Sequence, residues 1–173
     1  MGQQGKMIAD SAARGIGYAE RLLKDLPADR FARMSSPGGQ QVDANHPAFI
    51  FGHLCLYPQK VMEHIGASTE QTRVPESFDA VFSKTAKCHD DADGTIYPSP
   101  ELIKETFSRS YAAALQAIAE CDDSILGKDN PDEAMNSVFP TMGSMLNFYL
   151  TSHVMVHLGQ LSTWRRMEGM PPA

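Results

Sequence analysis

The sequence is poor in cysteine, tryptophan and clustered positive charge, and it holds no long apolar run. Each shortage removes a class of protein. The three cysteines, Cys55, Cys88 and Cys121, are an odd number at wide spacing, so they make no disulfide framework and a reducing cytoplasm is the expected compartment. No apolar stretch approaches the roughly 20 residues a membrane helix needs. The segment Met1-Gly2-Gln3-Gln4-Gly5-Lys6 lacks an apolar region behind a basic start, so no signal peptide is expected. Lys6 also stands where a myristoylation motif requires Ser or Thr.

Acidic residues outnumber basic ones, 21 Asp and Glu against 15 Lys and Arg, for a net charge of −6. Without a basic footprint, neither nucleic acid nor an anionic membrane surface is an expected partner. There is no glycine-rich phosphate loop, no Gly-x-Ser-x-Gly elbow and no His-Glu-x-x-His. The last absence excludes a zincin-type protease, because the glutamate base is missing.

What is present reads as one α-helical domain spanning residues 1–173, with an apolar fraction of 42% to build its core. A first helix is expected from Met7 to Leu26, ended by Pro27, with Ile8, Ala12, Ile16 and Ala19 on its apolar face. A second starts near Asn45-His46-Pro47 and runs to Gly66 as C′ residue, kinked or opened by Pro58. Residues 67–98 form a largely irregular excursion with a short helical turn near Ser77–Lys84. A third helix has Ser99 as N-cap and Pro100 at its first position and lasts to about Cys121. A fourth begins after Asn130-Pro131-Asp132-Glu133, with a restart after Pro140, and continues to Glu168. The expected architecture is an all-α four-helix bundle.

The chemistry gathers near the C-terminus, where His153 and His157 lie four residues apart on the fourth helix. At that spacing side chains share one face, with Cβ atoms about 5–6 Å apart. Two imidazoles so placed can converge on one metal ion, each nitrogen at roughly 2.0–2.1 Å. A third ligand is then required. His46, His53 and His64 are spread along the second helix, separated by roughly 10 and 16 Å at 1.5 Å per residue, so at most one can join the pair. His46 suits a cap or a solvent-facing position at the helix mouth, His64 suits the dipole of the last turn, and His89 belongs to a polar loop. His53 lies among apolar neighbours, where a lone histidine is more often a satisfied core residue. Depth favours it nonetheless. His53 is early in its helix and the pair is late in the fourth, so they meet only if those helices are antiparallel. An up-down-down-up path makes them so, and residues 67–98 are long enough to carry the required crossover between the second and third helices.

The segment Phe51-Gly52-His53-Leu54, together with His153-x-x-x-His157-Leu158-Gly159-Gln160-Leu161 and the following Trp164-Arg165-Arg166-x-x-Gly169-x-Pro171, resembles the DinB/YfiT-like superfamily of four-helix-bundle metalloenzymes. The resemblance implies a three-histidine site at His53, His153 and His157. It also implies a divalent cofactor, zinc or nickel, with positions open to water or substrate. Assigned activities in that family are thiol-dependent transfer or isomerisation, with a low-molecular-weight thiol as cosubstrate, and metal-dependent hydrolysis. The excursion 67–98 departs from the family's compact pattern.

On this reading the protein is a metal-dependent thiol S-transferase or hydrolase acting on a small electrophilic substrate. The expected partners are that small molecule and a second copy of the chain. Gln160, on the same face as the pair, is a candidate to orient a ligand histidine or a water, and Tyr57, one turn beyond His53, to line the pocket. Cys55 falls on another face and reads as a buried small hydrophobe. Asp91-Ala92-Asp93-Gly94 fails the EF-hand pattern and reads as a solvated loop. Arg165 and Arg166 read as charges complementing a helix C-terminus. The rival is a non-catalytic bundle whose histidines hold a metal only for stability, acting in dimerisation or partner binding.

Overall fold

A computed structural model describes residues 2–173. Among these the chain is helical and forms no β-strand; a lone bridge pairs Asp129 with Thr141. The helices are α1 (Gln3–Leu23), α2 (Pro47–Leu54), α3 (Leu56–Ile65), α4 (Ser77–Phe82), α5 (Pro100–Glu120), α6 (Asp123–Leu126), α7 (Met142–Leu150) and α8 (Ser152–Met167). Short 3₁₀ turns cover Ala28–Arg30 and Pro37–Gly39. Among the described residues no helix is long and apolar enough to cross a membrane.

α1 begins at Gln3 rather than Met7 and ends at Leu23 rather than Leu26. Its early start has a distant cause: the carboxylate of Asp123 accepts the backbone N–H groups of Gln3 and Gln4, both at 3.0 Å. Those are orphan donors of the first turn, and an anion suits the positive end of the helix dipole. At the other end, Arg165 is buried and donates to the carbonyls of Leu22 and Lys24 at 2.8 and 2.9 Å. The cation therefore complements the C-terminus of α1, not that of its own helix.

The expected second helix is two, α2 and α3, meeting at Cys55. Pro58 has no N–H to offer the carbonyl of Leu54, four residues earlier. The hydroxyl of Tyr111 on α5 donates to that carbonyl at 3.3 Å instead. Gly66 ends α3 in the left-handed region at φ 71°, as a C′ glycine does. Cys55 is fully buried, with its thiol against the carbonyl of Ile103.

The fourth helix also divides. Residues 131–140 are turns, not helix, and α7 starts at a capping box in which Thr141 and Ser144 bond reciprocally. Thr151 interrupts the run with φ −119° and ψ −81°, its hydroxyl bonded to the carbonyl of Asn147 at 2.6 Å. His153 thus lies in the first turn of α8.

The excursion is docked. Phe78 and Phe82 are fully buried, and Phe82 stacks on Tyr97 with ring centroids 5.6 Å apart. Farther along, Asp90 pairs with Arg33 and accepts the N–H of Met34, and the N–H of Asp91 bonds to the carbonyl of Ala32. Asp91 is buried rather than solvated, because its carboxylate accepts the N–H groups of Thr95, Ile96 and Tyr97 and so folds its own turn. Arg109 reaches the carbonyls of Gln71 and Arg73. One apolar cluster, running from Ile8 to Trp164, joins the long helices and α4.

Candidate metal centre

α2 is buried along its whole length, and its last turn carries His53, 7% exposed. α8 buries Val154, Leu158 and Leu161 and so turns His153 and His157, both half-buried, toward α2. The ligating nitrogens of the three histidines all lie within 4.8 Å of one another. Nε2 of His153 is 3.3 Å from Nε2 of His53 and 3.1 Å from Nε2 of His157. Four ligands about 2.05 Å from a tetrahedral ion stand about 3.3 Å apart, and cis ligands of an octahedral one about 2.9 Å. The donor set and these two separations fit a divalent ion. Among the described residues this is the group of histidine, cysteine or carboxylate side chains placed to hold one.

The opposite nitrogens set the tautomers. Nδ1 of His53 donates to the carbonyl of Phe82 at 2.8 Å, and Nδ1 of His157 donates to Oε1 of Gln160 at 3.2 Å. Gln160 is held in turn by the amide of Asn45, at 3.1 Å to the same oxygen. With the proton fixed on Nδ1, each ring presents the Nε2 lone pair inward. Nδ1 of His153 is buried and has no partner among the described residues, while its ring packs on Tyr57 at 4.2 Å and Phe148 at 5.6 Å between centroids.

Electrostatics keep the cluster neutral. Burial lowers the pKa of His153 to about 3, and the adjacent His157 and His53 press it in the same direction. Burial likewise lowers His157 to about 4, with His53 adding to the effect and the Gln160 oxygen opposing it. His53 is lowered by burial against the Phe82 carbonyl, which favours its protonated form. Three imidazoles unprotonated at neutral pH are three available donors.

A cleft of about 730 Å³ opens over His53, His153 and His157, with Phe49, Tyr57 and Phe148 as apolar wall and the segment Ser83–His89 as its other side. A second cleft of about 500 Å³ reaches His53 and Tyr57 past Lys60 and Tyr149. Cys88 lines the first cleft as a thiol whose pKa burial raises to about 11.

The remaining histidines do not join. His46 is fully buried, not solvent-facing. It caps α2 by accepting the N–H of Phe49 on Nδ1 at 3.2 Å, and its Nε2 donates to the carbonyl of His89 at 2.9 Å. His46 thus takes the capping role, one of the two expected for it, while the side chain of Asn45 serves Gln160. His64 ends α3, and His89 is exposed at the cleft rim. Sequence reasoning missed Phe82 and Phe148; the Phe82 carbonyl carries no residue-type signal, and Phe148 is one aromatic among several.

Comparison of the chain with protein-family models, with curated proteins and with solved structures finds no match.

Proposed function

We propose that this chain is a DinB/YfiT-like metalloprotein in which His53, His153 and His157 hold one divalent cation, zinc or nickel, for thiol transfer to, or hydrolysis of, a small electrophilic molecule. The observation that carries the reading is the convergence of three neutral Nε2 donors at the floor of an accessible cleft. When bound, such an ion supplies a Lewis-acid charge that lowers the pKa of a water or thiol at its open position.

The chain's own residues supply the rest. The Phe82 carbonyl and Gln160 hold protons on the outer nitrogens of His53 and His157, so the inner lone pairs stay available. Tyr57, Phe49 and Phe148 give the cleft one apolar wall, which lowers the local dielectric beside the histidines. The cleft volume falls in the range of small-molecule sites.

The up-down-down-up path belongs to the same proposal. It is supported by the start of α1 lying against the end of α5, where Gly2 donates to the Cys121 carbonyl at 3.1 Å. The end of α1 meets the end of α8 at Arg165. Along α2 and α8 the order of contacts reverses, Asn45 with Gln160 and His53 with His153. We include in the reading a homodimer in the cytoplasm, as a single domain with its crossover in residues 67–98.

Elemental analysis of wild type and His157→Ala tests the site. Near-stoichiometric metal in the first and little in the second is expected; no metal in either overturns it. A screen of the loaded protein with thiols and electrophiles tests the chemistry. The second reading, a metal that only stabilises the bundle, draws on the way the cluster ties α2 and α8 to the carbonyl of α4. It predicts a large loss of melting temperature with chelator and no turnover.

A further inference from the structure

Gly52 and Phe82 are in contact so close that a Cβ on Gly52 would overlap the Phe82 ring. The ring is held from the other sides by Phe78 at 5.1 Å, Tyr97 at 5.6 Å and Phe49 at 6.3 Å between centroids. The same residue that seats its ring on Gly52 offers its carbonyl to Nδ1 of His53. One residue therefore fastens α4 to α2 and fixes the tautomer and tilt of a proposed ligand. Directly after it, Ser83 to His89 form the wall of the cleft, and the chain is fastened again at Asp90 by Arg33 and the N–H of Met34.

We infer that Phe82 is a positioning residue, and that metal occupancy and the docking of α4 with its 83–89 wall are thermodynamically linked through the His53–Phe82 hydrogen bond. This rests on the metal reading above. A cation on Nε2 draws electron density from the imidazole and makes its Nδ1–H a stronger donor, so the loaded site grips the Phe82 carbonyl harder. Linkage is reciprocal: a segment docked more firmly by metal must raise metal affinity by the same factor. Gly52 is required because any side chain there lifts the ring and, with it, the carbonyl on the same residue. The excursion is thus part of the site, and it shapes the cleft only while it holds His53 in register.

The test measures zinc affinity of the full chain by competition with a chromophoric chelator, and hydrogen exchange of amides 83–89 with and without zinc. In wild type, zinc is expected to increase protection of that segment. Gly52→Ala is expected to weaken zinc about 10–100-fold, the usual cost of losing an outer-shell partner, and to abolish the zinc-dependent protection while the helical circular dichroism persists. Should Gly52→Ala fail to fold, Gly52→Ala/Phe82→Ala removes the overlap as well as the anchor, and the same loss of affinity is expected. Wild-type affinity in whichever variant folds, or protection of 83–89 unmoved by zinc in wild type, overturns the inference alone. A wild type that binds neither zinc nor nickel overturns the metal reading beneath it, and the inference falls with that reading.

Discussion

Nε2 of His153 and Nε2 of His157 stand 3.1 Å apart on successive turns of α8. With Nδ1 of His157 donating to Gln160, the His157 nitrogen that faces His153 is a bare lone pair. Nε2 of His53 is bare for the same reason, since its Nδ1 proton is on the Phe82 carbonyl. A single proton on His153 can satisfy only one of these two acceptors, whereas one cation satisfies all three nitrogens. Loading with zinc to 100 times its dissociation constant should therefore stabilise the protein by about 2.7 kcal/mol. For a chain of this size that is a rise in Tm of about 5–10 °C. Calorimetry with zinc and with chelator checks it, and His157→Ala should melt at one temperature under both conditions.

Gln160 is exposed, so replacing it disturbs no core. Its oxygen nonetheless sits between the amide of Asn45 and the ring of His157. Gln160→Ala should weaken metal binding about 10-fold, at the low end for outer-shell partners, with stability in chelator unchanged within about 0.5 kcal/mol. Equal metal affinity in the two proteins would show that Gln160 does not orient His157.

His46 supplies a pH dependence independent of the cluster. Its Nδ1 must accept from Phe49 and its Nε2 must donate to His89, so only one neutral tautomer satisfies both bonds. Burial accordingly lowers its pKa to about 4, against about 6.5 in the unfolded chain. Above pH 6.5 both states are neutral and nothing is lost. As pH falls from 6.5 to 4 the unfolded chain takes up the proton first, so stability drops across that window and levels below it. In metal-free protein the three site histidines, lowered in the same way, steepen the same window. His46→Asn, which keeps a capping side chain, should make the pH profile of urea midpoints in chelator shallower, the remaining slope being the share of the three site histidines.

The Leu54 carbonyl offers a double-mutant test. Pro58 denies it a helical partner, and the buried hydroxyl of Tyr111 takes that place. Tyr111→Phe should cost about 1–2 kcal/mol, the penalty for stranding a buried polar group. Against a Pro58→Ala background, which restores an N–H four residues on, the same change should cost less. Additive losses in the denaturation cycle would show that the two groups do not share that carbonyl.

Much of the helix order was legible because its signals are local. Ser99 and Pro100 start α5 where the cap and the fixed φ of proline demand, and Gly66 ends α3. The early start of α1 and the turn at 131–140 both depend on partners that the helix pattern does not show. α1 begins early because of a carboxylate on α6, more than a hundred residues away in the chain. His46 takes the capping role expected of it, and it is buried because the excursion folds over it and offers the carbonyl of His89. The stretch 131–140 carried a helix-start signal in Asn130-Pro131-Asp132-Glu133. Yet Asn130 bonds to the backbone of Asp132 and Phe139 and makes a turn.

The sequence alone determined that His153 and His157 share a face, since an interval of four residues puts side chains one turn apart wherever the helix packs. For the third donor it favoured His53 only on condition of an antiparallel path, and it is the tertiary structure that brings His53 close to the pair. Only the tertiary structure decided which nitrogen of each ring faces inward. That depends on the Phe82 carbonyl, 29 residues from His53 in the chain, and on an approach of α2 to α8 across 100 residues. A hydrogen bond to a backbone carbonyl reads position and not residue type, so no pattern of residues along the chain encodes it directly.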